Sequence, residues 1–364
     1  CNSLVIKTAY ETQVPAGKAL AVDREKFGAE ITKTMQAHPL IEIVHREVTE
    51  IPPTSDHPVI LATGPLTSEP LAQSLGIFTG KERLAFYDAI APIVYAESLN
   101  MDTVYCKSRY DDGPGDYLNC PMDEESYQTF ITELAKGNYV PLKDFEDIKY
   151  FEGCLPIEVI RSRGDDTLRY GPMKPVGLAD PKTGEEPYAV VQLRKENLEG
   201  STYNMVGFQT KLTYSEQKRI FRLIPGMGKA KFARLGSIHR NTFICSPELL
   251  QPTLQFTTRP DLLLAGQLSG VEGYVESAAM GLLAGINGAR LAQRLSPVVP
   301  PRETGLGSLI NHLTATDPAR FQPSNINFGL FPPWEKKVKK KFRGQERAQR
   351  ALKALAGWLE VEQL

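Results

Sequence analysis

The rhythm of apolar and polar residues changes twice along this chain. Residues 41–48 (Ile-Glu-Ile-Val-His-Arg-Glu-Val) partly alternate, the period-two pattern of a strand. Pro58-Val59-Ile60-Leu61-Ala62 is a short apolar run of the kind buried in parallel sheets, and it stops at Thr63-Gly64-Pro65. Between Val22 and His38 a helix is predicted, with Asp23 as its N-cap. Helix, strand and a turn at the strand's end give the rhythm of a doubly wound α/β domain.

From 86 to 234 the texture is different. Tyr- and Phe-rich strand candidates lie at 86–95, 186–194 and 203–211. One helix is predicted from Asp123, with acids in its first turn, to Gly137 as its C-cap; another runs from Ser215 to Ile224 and is stopped by Pro225-Gly226. This stretch reads as a mixed α+β insertion. After about 235 the α/β rhythm returns. Asp261-Leu262-Leu263-Leu264-Ala265 reads as a strand, followed by a glycine-rich turn and a small-residue helix over 276–295. Its Ala284, Gly285, Gly288 and Ala289 suit close packing on a sheet. The expected division is 1–85, 86–234 and 235–364. The opening Cys1-Asn2-Ser3-Leu4 reads like the end of a helix. With no Met and no G-x-G-x-x-G ahead of it, it suggests a fragment lacking its first βαβ unit.

Composition narrows the function classes. The 364 residues leave room for two or three cores, and no apolar stretch approaches the ~18 residues of a membrane-spanning helix. No secretory leader is visible. Forty-two basic against 43 acidic residues give a net charge of −1, so a nucleic acid would be held by a local patch rather than a global field. The five cysteines are widely spaced with no C-x-x-C pair, which argues against a zinc site and for a reducing, cytoplasmic setting. No metal site is expected.

Four constellations could carry chemistry. In 262–287 a strand ends in Ala265-Gly266, Gly270 and Gly273 follow, and a helix begins. Glycines there admit a ligand to the backbone, and the helix start offers free N–H groups. Cys154 stands between Gly153 and Leu155-Pro156, a turned thiol that reads as either structural or reactive; Glu152 and Glu158 would raise its pKa, and Arg161 and Arg163 would lower it. Lys174 lies in an exposed loop stiffened by Pro172, Pro175, Gly171 and Gly177. His239-Arg240-Asn241 joins a flat ring to a cation and an amide. The basic tail at 335–350 reads as a solvated helix face or an RNA contact.

Taken together, these segments resemble the folate- and FAD-dependent tRNA uracil-5-methyltransferase (TrmFO) family. The resemblance rests on V-P-A-G-K-A-L-A-V-D-R (14–24), A-T-G-P-L-T-S (62–68), Y-L-N-C-P-M (117–122), F-E-G-C-L-P-I-E-V (151–159) and G-P-M-K-P-V-G-L (171–178). It continues through P-Y-A-V-V-Q-L-R (187–194), N-M-V-G-F-Q-T-K-L (204–212), H-R-N-T-F (239–243), A-G-Q-L-S-G-V-E-G-Y-V-E-S (265–277) and F-Q-P-S-N-I-N-F-G-L (321–330). It implies an FAD-binding, Rossmann-like domain of the glutathione-reductase type, split by an inserted domain. It also implies transfer of a one-carbon unit from 5,10-methylenetetrahydrofolate to C5 of the T-loop uridine of tRNA. NAD(P)H reduces the flavin, which carries the methylene. By the same resemblance Cys154 is a catalytic cysteine. Gly17, Ala62, Thr63, Gly64, Gly266, Gly270, Gly273 and Glu276 contact FAD, and His239, Arg240, Asn241 and Lys174 are candidates for folate or tRNA. Lys18 departs from the family pattern, which often has a second Gly there. Cys1 is not counted as catalytic, since Val14-Pro15-Ala16-Gly17 follows too soon. The rival readings are the related FAD enzyme of wobble uridine, which has a long C-terminal helical extension, and a non-catalytic flavin- or RNA-binding protein.

Overall fold

The computed structural model describes residues 3–80, 84–110, 113, 115–141, 155–334 and 338–363; of residues 84–87 and Arg240 it describes the backbone. Packing divides the chain into two compact units. One holds Cys1–His45 and Tyr87–His239, the other Arg46–Phe86 and Arg240–Leu364.

The first unit is built on a six-stranded antiparallel sheet, in the order Phe232–Arg234, Ile93–Tyr95, Thr202–Met205, Ala189–Lys195, Tyr117–Met122, Tyr105–Cys106. The helix Glu124–Lys136 begins at Asp123, whose carboxylate accepts the Ser126 N–H at 2.8 Å, and ends at Gly137. Its buried Tyr127, Phe130, Ile131 and Leu134 recur at helical spacing and enter the core. The helix Tyr214–Phe221 adds Ile220 and Phe221. Phe208 packs between Phe130 and Phe221, with ring centroids 6.1 and 5.7 Å apart. Each such fully buried ring stabilises the fold by roughly 1.5–3 kcal/mol.

Residues 1–45 belong to this unit by packing and not, as expected, with the rest of 1–85. The reason is a set of long-range bonds. Tyr117 Oη donates to Ala16 O at 2.9 Å, Gly17 N–H to the Asp116 carboxylate at 2.6 Å, and Leu198 N–H to Asp23 at 3.3 Å. Asp23 also caps the helix Arg24–Ala37, as predicted. The opening segment is a helix start: Ser3 accepts the Ile6 N–H and caps Leu4–Glu11. Residues 41–48 form no strand and are mostly exposed, because they have no ladder partner among the described residues.

In the second unit, Val59–Leu61 runs parallel to Arg259–Leu264 in a sheet completed by Gln255–Phe256. The strand Arg259–Leu264 leads through a turn into the helix Tyr274–Ala292. Only part of the expected small-residue face packs on the sheet: Ala284 and Gly288 are buried, a Cβ at Gly288 standing 3.2 Å from Ile60 Cδ1, whereas Gly285 and Ala289 are exposed. Asn287, fully buried on the same side, donates to Thr253 O and Val298 O, both at 3.0 Å, and accepts the Val298 N–H at 2.8 Å. Leu61, Leu75, Phe256, Leu262, Leu264 and Leu268 form the core beneath. Among the described residues no helix is long and apolar enough to cross a membrane.

Candidate functional site

The two parallel strands leave their sheet side by side. Leu264 stands opposite Leu61, and Ala265 N–H donates to Leu61 O at 3.0 Å, so Ala62-Thr63-Gly64 and Ala265-Gly266 start adjacent loops. In open α/β sheets this carboxyl end is where ligands bind. The first loop is closed by Thr67, whose hydroxyl donates to Gly64 O at 2.9 Å and lies 2.7 Å from Thr63 Oγ1. Ser269 Oγ closes the second on Gly266 O at 2.7 Å. The 240–244 segment joins both: Thr242 N–H donates to Pro65 O at 3.2 Å and Ile244 N–H to Leu268 O at 3.1 Å. Asn241 is buried beside them.

The four expected contact glycines of the second unit divide into two kinds, although all have positive φ. Nothing lies within 4 Å of a Cβ built on Gly64, and the nearest atom to one on Gly266 is Ser277 Cβ at 3.7 Å. These two leave backbone open to a ligand. At Gly270 a Cβ would meet Phe321 Cζ at 2.6 Å, and at Gly273 it would collide with the Glu276 carboxylate. Their missing side chains make room for the chain itself. Glu276 also accepts the Ile326 N–H at 3.3 Å, and Ser324 bonds on both sides of Val271 through Gly270 O and Glu272 N–H. The 321–330 motif is therefore the buttress of the turn, a role its sequence gave no sign of. The helix Tyr274–Ala292 has no side-chain cap bond at its start, and Tyr274 is 96% exposed. Its first-turn N–H groups have no intrahelical acceptor.

The remaining candidates lie in the first unit, apart from Arg240, which sits at the start of the second. Gly17 is held by Asp116, with the Tyr117 ring 3.5 Å from its Cβ position. His239 Nε2 is 2.8 Å from Ser237 Oγ. Lys174 lies in a loop that is less exposed than expected, since Met173 and Leu178 are fully buried. Arg109, a residue sequence reasoning missed, clamps this loop by donating to Lys174 O at 2.6 Å and Val176 O at 2.8 Å. Cys154 lies outside the described residues. Of the groups expected to tune it, Arg161 is engaged by Asp165 at 2.9 Å, and Glu158 points into the core, where Thr210 Oγ1 and Lys211 N–H donate to it. Burial pushes the Glu158 carboxyl above the usual range. Cys120 is a buried hydrophobe whose thiol burial pushes up to about 12. Among the described residues no group of three acidic, His or Cys side chains is placed to hold a metal.

Residues 1–296 match the family model of glucose inhibited division protein A. The methylenetetrahydrofolate–tRNA-(uracil-5-)-methyltransferase TrmFO of Desulfotalea psychrophila is 69% identical over 363 residues, 100% of this chain and 82% of that protein. The TrmFO of Bacillus cereus is 54% identical over 361 residues, 99% of this chain and 82% of that one. The chain belongs to the TrmFO family. Its fold is also that of Aquifex aeolicus GidA: in one crystal form the TM-score is 0.63 at 17% identity, covering 92% of this chain and 58% of that one. In another crystal form it is 0.60 at 18% identity, over 80% and 54%. The agreement with the TrmFO relatives runs through both units.

Proposed function

We infer that this chain is a folate-dependent tRNA uracil-5-methyltransferase that forms 5-methyluridine in the T-loop. The observation that carries the reading is the 69% identity over 363 residues to a relative named for that activity. The second unit suits the FAD the reaction uses. Gly64 and Gly266 leave backbone open at the carboxyl end of a parallel pair, and the uncapped start of the helix Tyr274–Ala292 offers N–H groups to an electron-rich ring edge. When bound there, FAD supplies the electrons that turn the folate's methylene carbon into a methyl group.

The protein's own residues have three tasks in this reading. Ala62, Thr63, Gly64 and Gly266 form the cradle, and Glu276 holds it in shape through Ile326 N–H. Gly17, in the first unit, is a further candidate for contact with FAD. Cys154 adds as thiolate to uracil C6, which makes C5 nucleophilic. His239 stacks on the folate pterin, while Arg240 and Lys174 meet the folate carboxylates or tRNA phosphate, and Asn241, buried between the loops of the cradle, supports those loops from behind. NAD(P)H is the reductant, and the need for tRNA and reduced folate sets the reaction in the cytoplasm.

The test is direct. Enzyme loaded with FAD is incubated with methylenetetrahydrofolate, NAD(P)H and a tRNA transcript, and the digested nucleosides are analysed by mass spectrometry. 5-Methyluridine at the T-loop position is expected; a product at the wobble position, or none, would overturn the reading.

A further inference from the structure

We propose that Lys339, Lys340, Lys341 and Arg343, all exposed at the start of the tail helix Arg343–Glu362, form a landing surface for the sugar-phosphate backbone of the RNA being methylated. The proposal rests on the RNA-methylating reading above.

None of these four cations is paired with an acid among the described residues. Cations elsewhere on the surface stand beside acids one helical turn away, as in Lys7–Glu11 at 3.9 Å, Lys136–Glu133 at 2.9 Å and Arg320–Asp317 at 3.9 Å. Between Val338 and Arg350 the sequence holds a single acid, Glu346. The ammonium groups of Lys339 and Lys340 have no ion-pair or hydrogen-bond partner among the described residues. Lys341 rests over the Phe342 ring at 4.7 Å, and Arg343 uses its Nε–H on Val338 O at 3.2 Å. Four like charges within five residues repel one another, and they add to the positive end of a 20-residue helix dipole. In a chain of net charge −1 the arrangement disfavours the free protein, and a polyanion relieves it.

The surface is also fixed relative to the cradle. One turn further along, the Arg347 guanidinium lies 5.2, 4.9 and 5.0 Å from the ring centroids of Phe328, Phe331 and Trp334, and it donates to Phe328 O at 2.6 Å. That segment is the one whose Ile326 and Ser324 buttress the turn beside Gly266. An RNA backbone held on the cations is thus held on the same unit as the cradle, through packed segments. A lipid surface fits less well. A membrane-lying helix needs its apolar side free, whereas here Ala354, Leu355, Trp358 and Leu359 are half-buried and Arg290 ties the far end to Glu362 at 3.6 Å.

The experiment compares the full enzyme with its Lys339→Gln/Lys340→Gln/Lys341→Gln variant, measuring Kd for a T-arm stem-loop RNA by fluorescence anisotropy across a salt series. The variant should bind about tenfold more weakly near 0.1 M salt, with the slope of log K against log salt shallower by roughly two to three, one for each lost phosphate contact. The bound-flavin spectrum should not change, and the corresponding triple Arg variant should restore the slope. Unchanged Kd and slope, in an enzyme that methylates tRNA, would overturn this surface alone. So would loss of binding to phosphatidylserine vesicles with RNA binding intact. An unmodified enzyme that makes no 5-methyluridine would overturn both this surface and the function it rests on.

Discussion

The ring of Phe321 fills the space that a side chain at Gly270 would need: a Cβ there would stand 2.6 Å from Cζ and 3.1 Å from Cε1. The two residues lie 51 positions apart, and their fit sets the shape of the turn between strand and helix. Gly270→Ala should therefore act on stability first. Overpacking of roughly 1–3 kcal/mol adds to about 1–2 kcal/mol for a Cβ at positive φ. Gly266→Ala carries only the backbone part, since its Cβ has room, and should empty the flavin site of a folded protein. Urea unfolding and flavin absorbance on both variants decide it. Equal stability losses would contradict the division.

Glu158 should give a pH signature. Burial raises its carboxyl pKa, with the Thr210 and Lys211 bonds opposing that shift. A raised pKa means the folded protein holds this proton more tightly than the unfolded chain does. The stabilisation is complete below the ordinary glutamate value of about 4.3 and is lost as pH rises towards the raised value, by at most about 1.4 kcal/mol per unit. Glu158→Gln should flatten the stability profile in that window. Parallel profiles in urea titrations at a series of pH values would speak against it.

Arg347→Lys is expected to be costly despite the retained charge. The lysine loses the planar contact with three rings and the bond to Phe328 O, together about 1–3 kcal/mol. Thermal melts followed by Trp334 fluorescence should show a lower midpoint. An unchanged midpoint would mean that the aromatic segment holds itself.

Cys154→Ala should keep its FAD and the reduction of that flavin by NAD(P)H, yet lose methyl transfer, because uracil activation alone needs the thiol. His239→Ala should raise the folate requirement with flavin reduction near normal. Stopped-flow reduction measured beside 5-methyluridine formation separates the two steps. Near-normal methylation by Cys154→Ala would return this cysteine to a structural role.

What the sequence made legible was local. Asp23 and Asp123 cap their helices because a cap needs only the next three residues, and the Pro58 to Ala62 run reads as a strand from its own composition, although Leu61 alone of the run is buried. The alternation of 41–48 is also local, but a strand exists only when a partner completes its ladder. Phe321 behind Gly270, Arg109 under Lys174 and Tyr117 on Ala16 all join distant positions, and no short window contains them. The glycine turn was found by its pattern. Which glycines are open and which face their own chain depended on Phe321 and Glu276.

The parallel pairing of Val59–Leu61 with Arg259–Leu264 has a consequence during synthesis. Its two partners are separated by about 200 residues. At a ribosomal rate of roughly 5–20 residues per second, the earlier strand waits some 10–40 s for its mate. During that interval the whole insertion emerges and can fold, while Val59-Ile60-Leu61 presents an unpaired apolar edge open to other chains. Slowed translation after residue 61 should therefore raise the share of nascent chains captured by holdase chaperones.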